Sequence, residues 1–214
     1  MNIKQFYLFI DTVSPENKII IFDKEKIISL YKYKSNQNQA SYILPKIEEM
    51  LKKNNISLKD IQSIGCINGP GNFTSLRIGI IIVNTLSYLL KIKTFSIDFL
   101  SFYKQIFFSF YKDKNKILFY FKIGSLKDIL YGNLYKDKAI LNYKEYLNKK
   151  IDISKIQSPI LTSKYYELKL NKASYIEYIK LSNLYKSIIK NINYKKQIEP
   201  FYLKKPNITK RKKL

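Results

Sequence analysis

The segment Gly69-Pro70-Gly71-Asn72-Phe73-Thr74-Ser75-Leu76-Arg77-Ile78-Gly79 holds the residue types best suited to chemistry in this chain of 214 residues. Glycine at 69 and 71 permits a tight backbone turn, because no Cβ restricts φ, and Pro70 fixes one dihedral between them. The apolar run starting at Phe73 predicts a helix that opens directly out of the turn. Amides at such a helix N-terminus have no intrahelical acceptor, so with the Thr74 hydroxyl nearby they could face an anion. The alternative is that the glycines only turn the chain.

Other chemistry is limited by what is missing. The chain has no histidine and a single cysteine, Cys66. Ser–His–Asp and Cys–His nucleophiles both need an imidazole to take the proton, so neither can operate within this chain. One thiol without imidazole cannot build a zinc site. An all-carboxylate magnesium or calcium site stays open, yet the 16 acidic residues are spread thinly. Glu48 and Glu49 are adjacent, and neighbours on a helix point in different directions, which fits a solvated face better than an acid–base couple.

A formal net charge of +23 invites a nucleic-acid reading. Of the 39 basic residues only Arg77 and Arg211 are arginine, leaving 37 lysines. Base-edge readout favours the bidentate guanidinium, so the lysines suit general attraction to a polyanion rather than sequence recognition. Abundant Ile, Asn, Tyr and Phe accompany them, the composition an AT-rich genome supplies. Hydrophobic content of 46% is ample for a core. The most apolar run, 78–90, is interrupted by Asn84, Thr85 and Ser87, which predicts a buried helix rather than a span of about 20 apolar residues. The first ten residues are too short an apolar run for a signal peptide. The lone Cys66, without a disulfide partner, fits the reducing cytosol, and a cytoplasmic location is the expectation.

The elements that must position the glycine segment follow from pattern. Residues 6–10 form an apolar run ending at Asp11-Thr12, and 18–23 and 26–34 read as two further strands of an antiparallel succession. A polar linker at 35–39 precedes a helix at 40–53, with Ile43, Leu44, Ile47, Met50 and Leu51 on one stripe. Ser57 and Asp60 form a capping box before a buried strand at 61–67. A helix at 73–90, a strand at 93–97 and a helix at 98–110 follow, and strand–turn–helix–strand at this spacing argues for parallel pairing. Later, 117–122, 129–135 and 158–162 read as strands and 182–192 as a helix, before a basic tail at 195–214.

The glycine segment resembles the GPGSFTGLRIG signature of the TsaB (YeaZ) family, with Asn72 and Ser75 as the mismatches. Phe9-Ile10-Asp11-Thr12 is similar to the family's opening strand and its Asp-Thr-Ser, Val13 standing where the family has Ser. Tyr42-Ile43-Leu44-Pro45-Lys46-Ile47 and Ser57-Leu58-Lys59-Asp60-Ile61 match the helix and turn before the signature. Pro200-Phe201-Tyr202-Leu203 is similar to the closing Pro-x-Tyr-Leu. The family's Asp-Ala-Arg is replaced by Gly124-Ser125-Leu126. The resemblance implies an α/β ASKHA (actin/Hsp70-like) fold of two lobes, 1–110 and 111–214. Each lobe is built on an RNase-H-like mixed sheet flanked by helices, with the basic tail packing back toward the first. It also implies a phosphate-loop-like, vestigial set of Asp11, Thr12, Gly69, Gly71 and Thr74.

In function, the resemblance implies a non-catalytic partner of TsaD, with TsaE joining the pair. TsaD carries the active site that moves threonylcarbamoyl from its adenylate onto tRNA adenosine 37, in tRNAs reading codons that begin with A. ATP or ADP and a metal then belong to the complex and to TsaD, with none bound by this chain alone. The His-x-x-x-His metal pair of TsaD corresponds here to about Phe99 and Tyr103, neither a replacement ligand. A homodimer is open when the chain is alone, and no membrane contact is expected. In the 73–90 helix, Ile78, Ile81, Ile82, Leu86 and Leu89 are expected to face the sheet. Ile43, Ile47, Met50 and Ile80 are expected to line the partner interface, ordinary core being the alternative. An ASKHA-type ATP-dependent enzyme and a stand-alone RNA-binding protein are the competing functions.

Overall fold

A computed structural model of the chain describes residues 5–34, 39–123, 128–138, 160–162, 173–175, 184–190 and 192–203. The linker at 35–38, the Gly124-Ser125-Leu126 stretch and the basic tail from Lys204 onward lie outside the described residues. In chain order the elements are β1 (Phe6–Asp11), β2 (Glu16–Phe22), β3 (Ile27–Lys34), α1 (Gln39–Lys53), a single 3-10 turn (Leu58–Asp60), β4 (Ile61–Ile67), α2 (Phe73–Leu90), β5 (Lys93–Ile97) and α3 (Phe99–Phe110). Then come β6 (Lys116–Ile123), β7 (Asp128–Tyr135), β8 (Ile160–Thr162), β9 (Ala173–Tyr175), α4 (Leu184–Lys190) and β10 (Tyr194–Lys195).

Two mixed sheets result. The first has the order β10-β5-β4-β1-β2-β3, with β1, β2 and β3 antiparallel in succession and β1, β4 and β5 parallel. The second has the order β7-β6-β8-β9, antiparallel between β6 and β7 and parallel beyond. Tyr194 and Lys195 pair antiparallel with Phe95 and Thr94, so the second half of the chain returns to close the edge of the first sheet. Strand alternation sorts the core. Leu8, Ile10, Ile19 and Ile21 pack on one side with α1 and α2, and Tyr7, Phe9, Ile20 and Phe22 pack on the other with α3, β6, β7 and α4. Aromatic stacking marks the second face, with Phe9 and Phe102 ring centroids 5.4 Å apart.

Local signals set the helix ends. Ser57 accepts from the Lys59 amide at 3.3 Å while Asp60 accepts from the Ser57 amide at 2.8 Å, the expected capping box. Asn72 caps α2, its Oδ1 accepting from the Thr74 and Ser75 amides at 3.1 and 3.2 Å. At the other end Lys91 adopts the left-handed conformation (φ 54°), which stops the helix before β5.

The structure corrects the phase of α2. Its buried residues are Leu76, Gly79, Ile80, Ile82, Val83 and Ser87, whereas Ile81 and Leu89, expected against the sheet, are 62% and 66% exposed. A helix apolar nearly all round has no dominant stripe, so its phase is set by where the small residue Gly79 lets it approach Thr12, just past the end of β1. By length and composition alone α2 could also cross a membrane; here it packs on β4, β5 and β1. In α1 the buried stripe is Ile43, Ile47, Met50 and Leu51, with Leu44 exposed. Ile43, Ile47, Met50 and Ile80 are thus core residues of this chain, all 5% exposed or less, and not an open partner surface. Each contributes about 1.5–3 kcal/mol of burial to the fold itself.

Candidate functional site

Three segments meet where an anion site is expected: the β1–β2 turn, the β4–α2 turn and residues 194–203. Asp11, fully buried at the end of β1, accepts the Val13 and Ser14 amides on Oδ1 at 3.0 and 2.9 Å. The carboxylate therefore organises its own hairpin turn. Thr12 Oγ1 donates to the Ser75 carbonyl at 2.7 Å and so spans from the hairpin to the first turn of α2. Gly79 makes room for it, since a Cβ there would lie 2.5 Å from Thr12 Oγ1. At Gly71 a Cβ would lie 2.2 Å from Val13 Cγ1, so Val13 fills the concavity of the glycine turn.

The hairpin also holds a buried cation. Lys18 lies directly opposite Asp11 in the β1–β2 ladder. Its Nζ is 3.5 Å from Asp11 Oδ2 and 3.4 Å from the Tyr103 hydroxyl of α3. Burial pushes the Lys18 ammonium below the ordinary lysine value, and the Asp11 carboxylate pulls it partly back. Burial, and secondarily Asp11, also pushes up the Cys66 thiol, which is free and inert in the core.

Gly69 belongs to a different contact. It has φ of +124°, open to glycine, and a Cβ there would lie 2.2 Å from the Phe201 carbonyl. The Phe201 amide donates to the Asn68 carbonyl at 2.7 Å. Asn84 on α2 makes a two-way pair with the backbone of Ile198, both bonds 2.9 Å, and Thr94 Oγ1 donates to the Lys195 carbonyl at 2.8 Å. Residues 194–203 form a strap across the signature, and Ile198 is buried among the residues of α1 and α2.

Of the expected site residues, Asp11, Thr12 and Gly71 come together, Gly69 faces the strap, and Thr74 is exposed with its amide engaged by Asn72. These residues do not fit a nucleotide phosphate. The first amides of α2 are capped by Asn72, the glycine turn is filled by Val13, and the carboxylate is held by amides and a lysine. No cluster of three or more His, Cys, Asp or Glu that could hold a metal occurs among the described residues. Phe99 and Tyr103 are buried ring neighbours, their centroids 5.0 Å apart. Sequence reasoning missed Lys18, and it took Tyr103 only as the counterpart of a TsaD metal ligand. The available signal was parity, because Lys18 lies two and four residues before the inward Ile20 and Phe22.

Two mixed sheets flanked by helices, with a β1–β2 hairpin set against a strand–turn–helix, define the ASKHA (actin/Hsp70-like) class. The tRNA threonylcarbamoyladenosine biosynthesis protein TsaB of Buchnera aphidicola subsp. Acyrthosiphon pisum (strain APS) is 32% identical over 192 residues, 87% of this chain and 83% of that protein. The protein of the same name from the Schizaphis graminum subspecies (strain Sg) is 32% identical over 151 residues, 70% of each chain. The chain belongs to the TsaB (YeaZ) family. Residues 33–105 also match the family described as TsaD: tRNA N6-adenosine threonylcarbamoyltransferase. Among solved structures, a protein described as similar to peptidase YeaZ from Pseudomonas aeruginosa superposes with TM-score 0.67 at 13% identity, covering 94% of this chain and 100% of that one. YeaZ from Pseudomonas aeruginosa superposes with TM-score 0.55 at 14% identity, covering 74% and 75%. At those identities the likeness speaks to the fold.

Proposed function

We propose that this chain is a cytoplasmic, non-catalytic partner of a TsaD-type transferase in making threonylcarbamoyladenosine at position 37 of tRNAs that read codons beginning with A. The observation that carries the reading is the filled turn: Thr12 bonds to Ser75, Val13 packs against Gly71, Asn72 caps the first amides of α2, and Lys18 pairs with Asp11. A lobe so closed, within this family, acts by docking. ATP or ADP and the metal then sit on TsaD, TsaE joins the pair, and tRNA is reached through the complex. The chain offers that partner two lobes, 1–110 and 111–214, the end of the second returning to the first. Alone, the chain is free to form a homodimer.

The partner surface lies on α1 and α2, at the residues their own core leaves out. Leu44 on α1 and Ile81, Tyr88 and Leu89 on α2 are exposed, and both helices fall inside the stretch that matches the TsaD family. A related partner would present equivalent helices. The test is a pulldown for a TsaD-like protein, followed by assay of tRNA modification with and without this chain. Modification that requires both supports the reading. ATP turnover by the isolated chain would favour an ASKHA enzyme, and tight, steeply salt-dependent tRNA binding without a partner would favour an RNA-binding protein.

A further inference from the structure

We propose that the pocket beneath the β1–β2 hairpin is a binding site for one primary ammonium ion, and that Lys18 is its built-in occupant. Three oxygen groups converge on the Lys18 ammonium: the Asp11 carboxylate, the Glu16 backbone carbonyl and the Tyr103 hydroxyl. A lysine ammonium has three N–H donors and no acceptor; here it donates to the Glu16 carbonyl and the Tyr103 hydroxyl, and Asp11 Oδ2, 3.5 Å away, holds it as an ion pair. Tyr103 is set to accept because its own proton goes to Ser14 Oγ, 2.6 Å away.

Charge narrows the ligand class. Asp11, Lys18 and Tyr103 are 0%, 3% and 1% exposed, and the adjoining Glu16–Lys32 ion pair, 2.9 Å apart, is neutral as a unit, so the pocket balances the Asp11 carboxylate against the Lys18 cation. A divalent ion would leave a buried positive excess among neutral oxygens. A guanidinium, planar with five donors, brings more donors than these acceptors receive. The other Asp11 oxygen is already engaged by the Val13 and Ser14 amides. The consequence is a cleft whose ligand place is filled from within the same hairpin, and it stands whether or not the chain serves tRNA modification.

The test uses the full chain with Lys18→Ala, melted in propylammonium chloride and, at equal ionic strength, in sodium chloride and tetramethylammonium chloride. Removing one partner of a buried pair is expected to lower Tm by about 10 °C in the sodium salt. Propylammonium should restore a large part of that shift by occupying the vacated pocket, while tetramethylammonium, which has no N–H, restores none. The wild type should respond alike to all three salts. A Lys18→Ala chain that melts with the wild type, or that gains no more from propylammonium than from the controls, overturns the proposal. Should Lys18→Ala not fold, the Asp11→Asn/Lys18→Met chain decides. It should be more stable than Lys18→Met and indifferent to propylammonium, and a double variant no more stable than Lys18→Met refutes the site.

Discussion

Arg77 Nε donates to the Tyr202 hydroxyl at 3.1 Å, across 125 residues of sequence. The same guanidinium lies 3.9 Å from the centroid of the Phe73 ring, and Phe73 stacks on Tyr202 with centroids 4.7 Å apart. The arginine of the signature thus holds the strap rather than a phosphate. Tyr202→Ala should cost about 1–2 kcal/mol through the lost stack and hydrogen bond, and Tyr202→Phe about half as much. Urea titration of the two variants separates the ring from the hydroxyl.

Gly71→Ala tests how tightly the turn is filled. The new Cβ would collide with Val13, and overpacking of this kind costs about 1–3 kcal/mol. Adding Val13→Ala opens the space, so the double variant should recover most of the loss. Stabilities that simply add across the two sites would show that the contact is absent.

Charge placed on the two faces of the α1–α2 layer should act in opposite ways. Ile47→Asp buries an unpaired carboxylate at a residue 3% exposed and should prevent stable folding. Ile81→Asp, at 62% exposure, should change stability by no more than about 0.5 kcal/mol. By the proposed function it should also abolish co-purification with a TsaD-like protein. Circular dichroism and a pulldown measure the pair.

Asp98 caps α3 by accepting the Ser101 amide at 3.0 Å. Burial pushes its carboxyl above the ordinary aspartate value, and hydrogen bonds from the Ser101 side chain and then from the Ser101, Asp98 and Leu100 amides draw it partly back. A folded value above the unfolded one means the folded state holds the proton more tightly. The contribution to stability is complete below the unfolded value and is lost as pH rises through the folded one. Asp98→Asn keeps an acceptor for Ser101 without the buried charge. Its advantage over the wild type should be small at acid pH and grow as pH rises through that window, as read from paired thermal melts.

Element ends were legible in the sequence because they are written in single residues. Ser57 and Asp60 cap where their types say they should, and the runs at 61–67, 73–90 and 93–97 coincide with β4, α2 and β5; the Asn72 cap of α2 was not read from the sequence. The inward face of α2 was not legible. With Ile, Leu or Val at most positions, the choice between Ile80 and Ile81 rests on which backbone Gly79 and Thr12 bring close. The glycine signature read correctly as a turn, but its contents come from distant residues: Val13, Lys18 and the strap around Phe201. The buried lysine was hidden among 37 lysines and by the habit of assigning them to solvent.

The two-residue strand β10 bears on how the molecule is made. On the ribosome, β5 emerges about a hundred residues before Tyr194, the partner of Phe95. At translation rates of about 5–20 residues per second, the outer rim of the first sheet stays unpaired for several seconds. During that interval the groove that will receive Ile198 is open, and an exposed strand edge invites pairing with other nascent chains. Synthesis therefore passes through a vulnerable stage in which a chaperone holding the amino-terminal half would raise the yield of native protein.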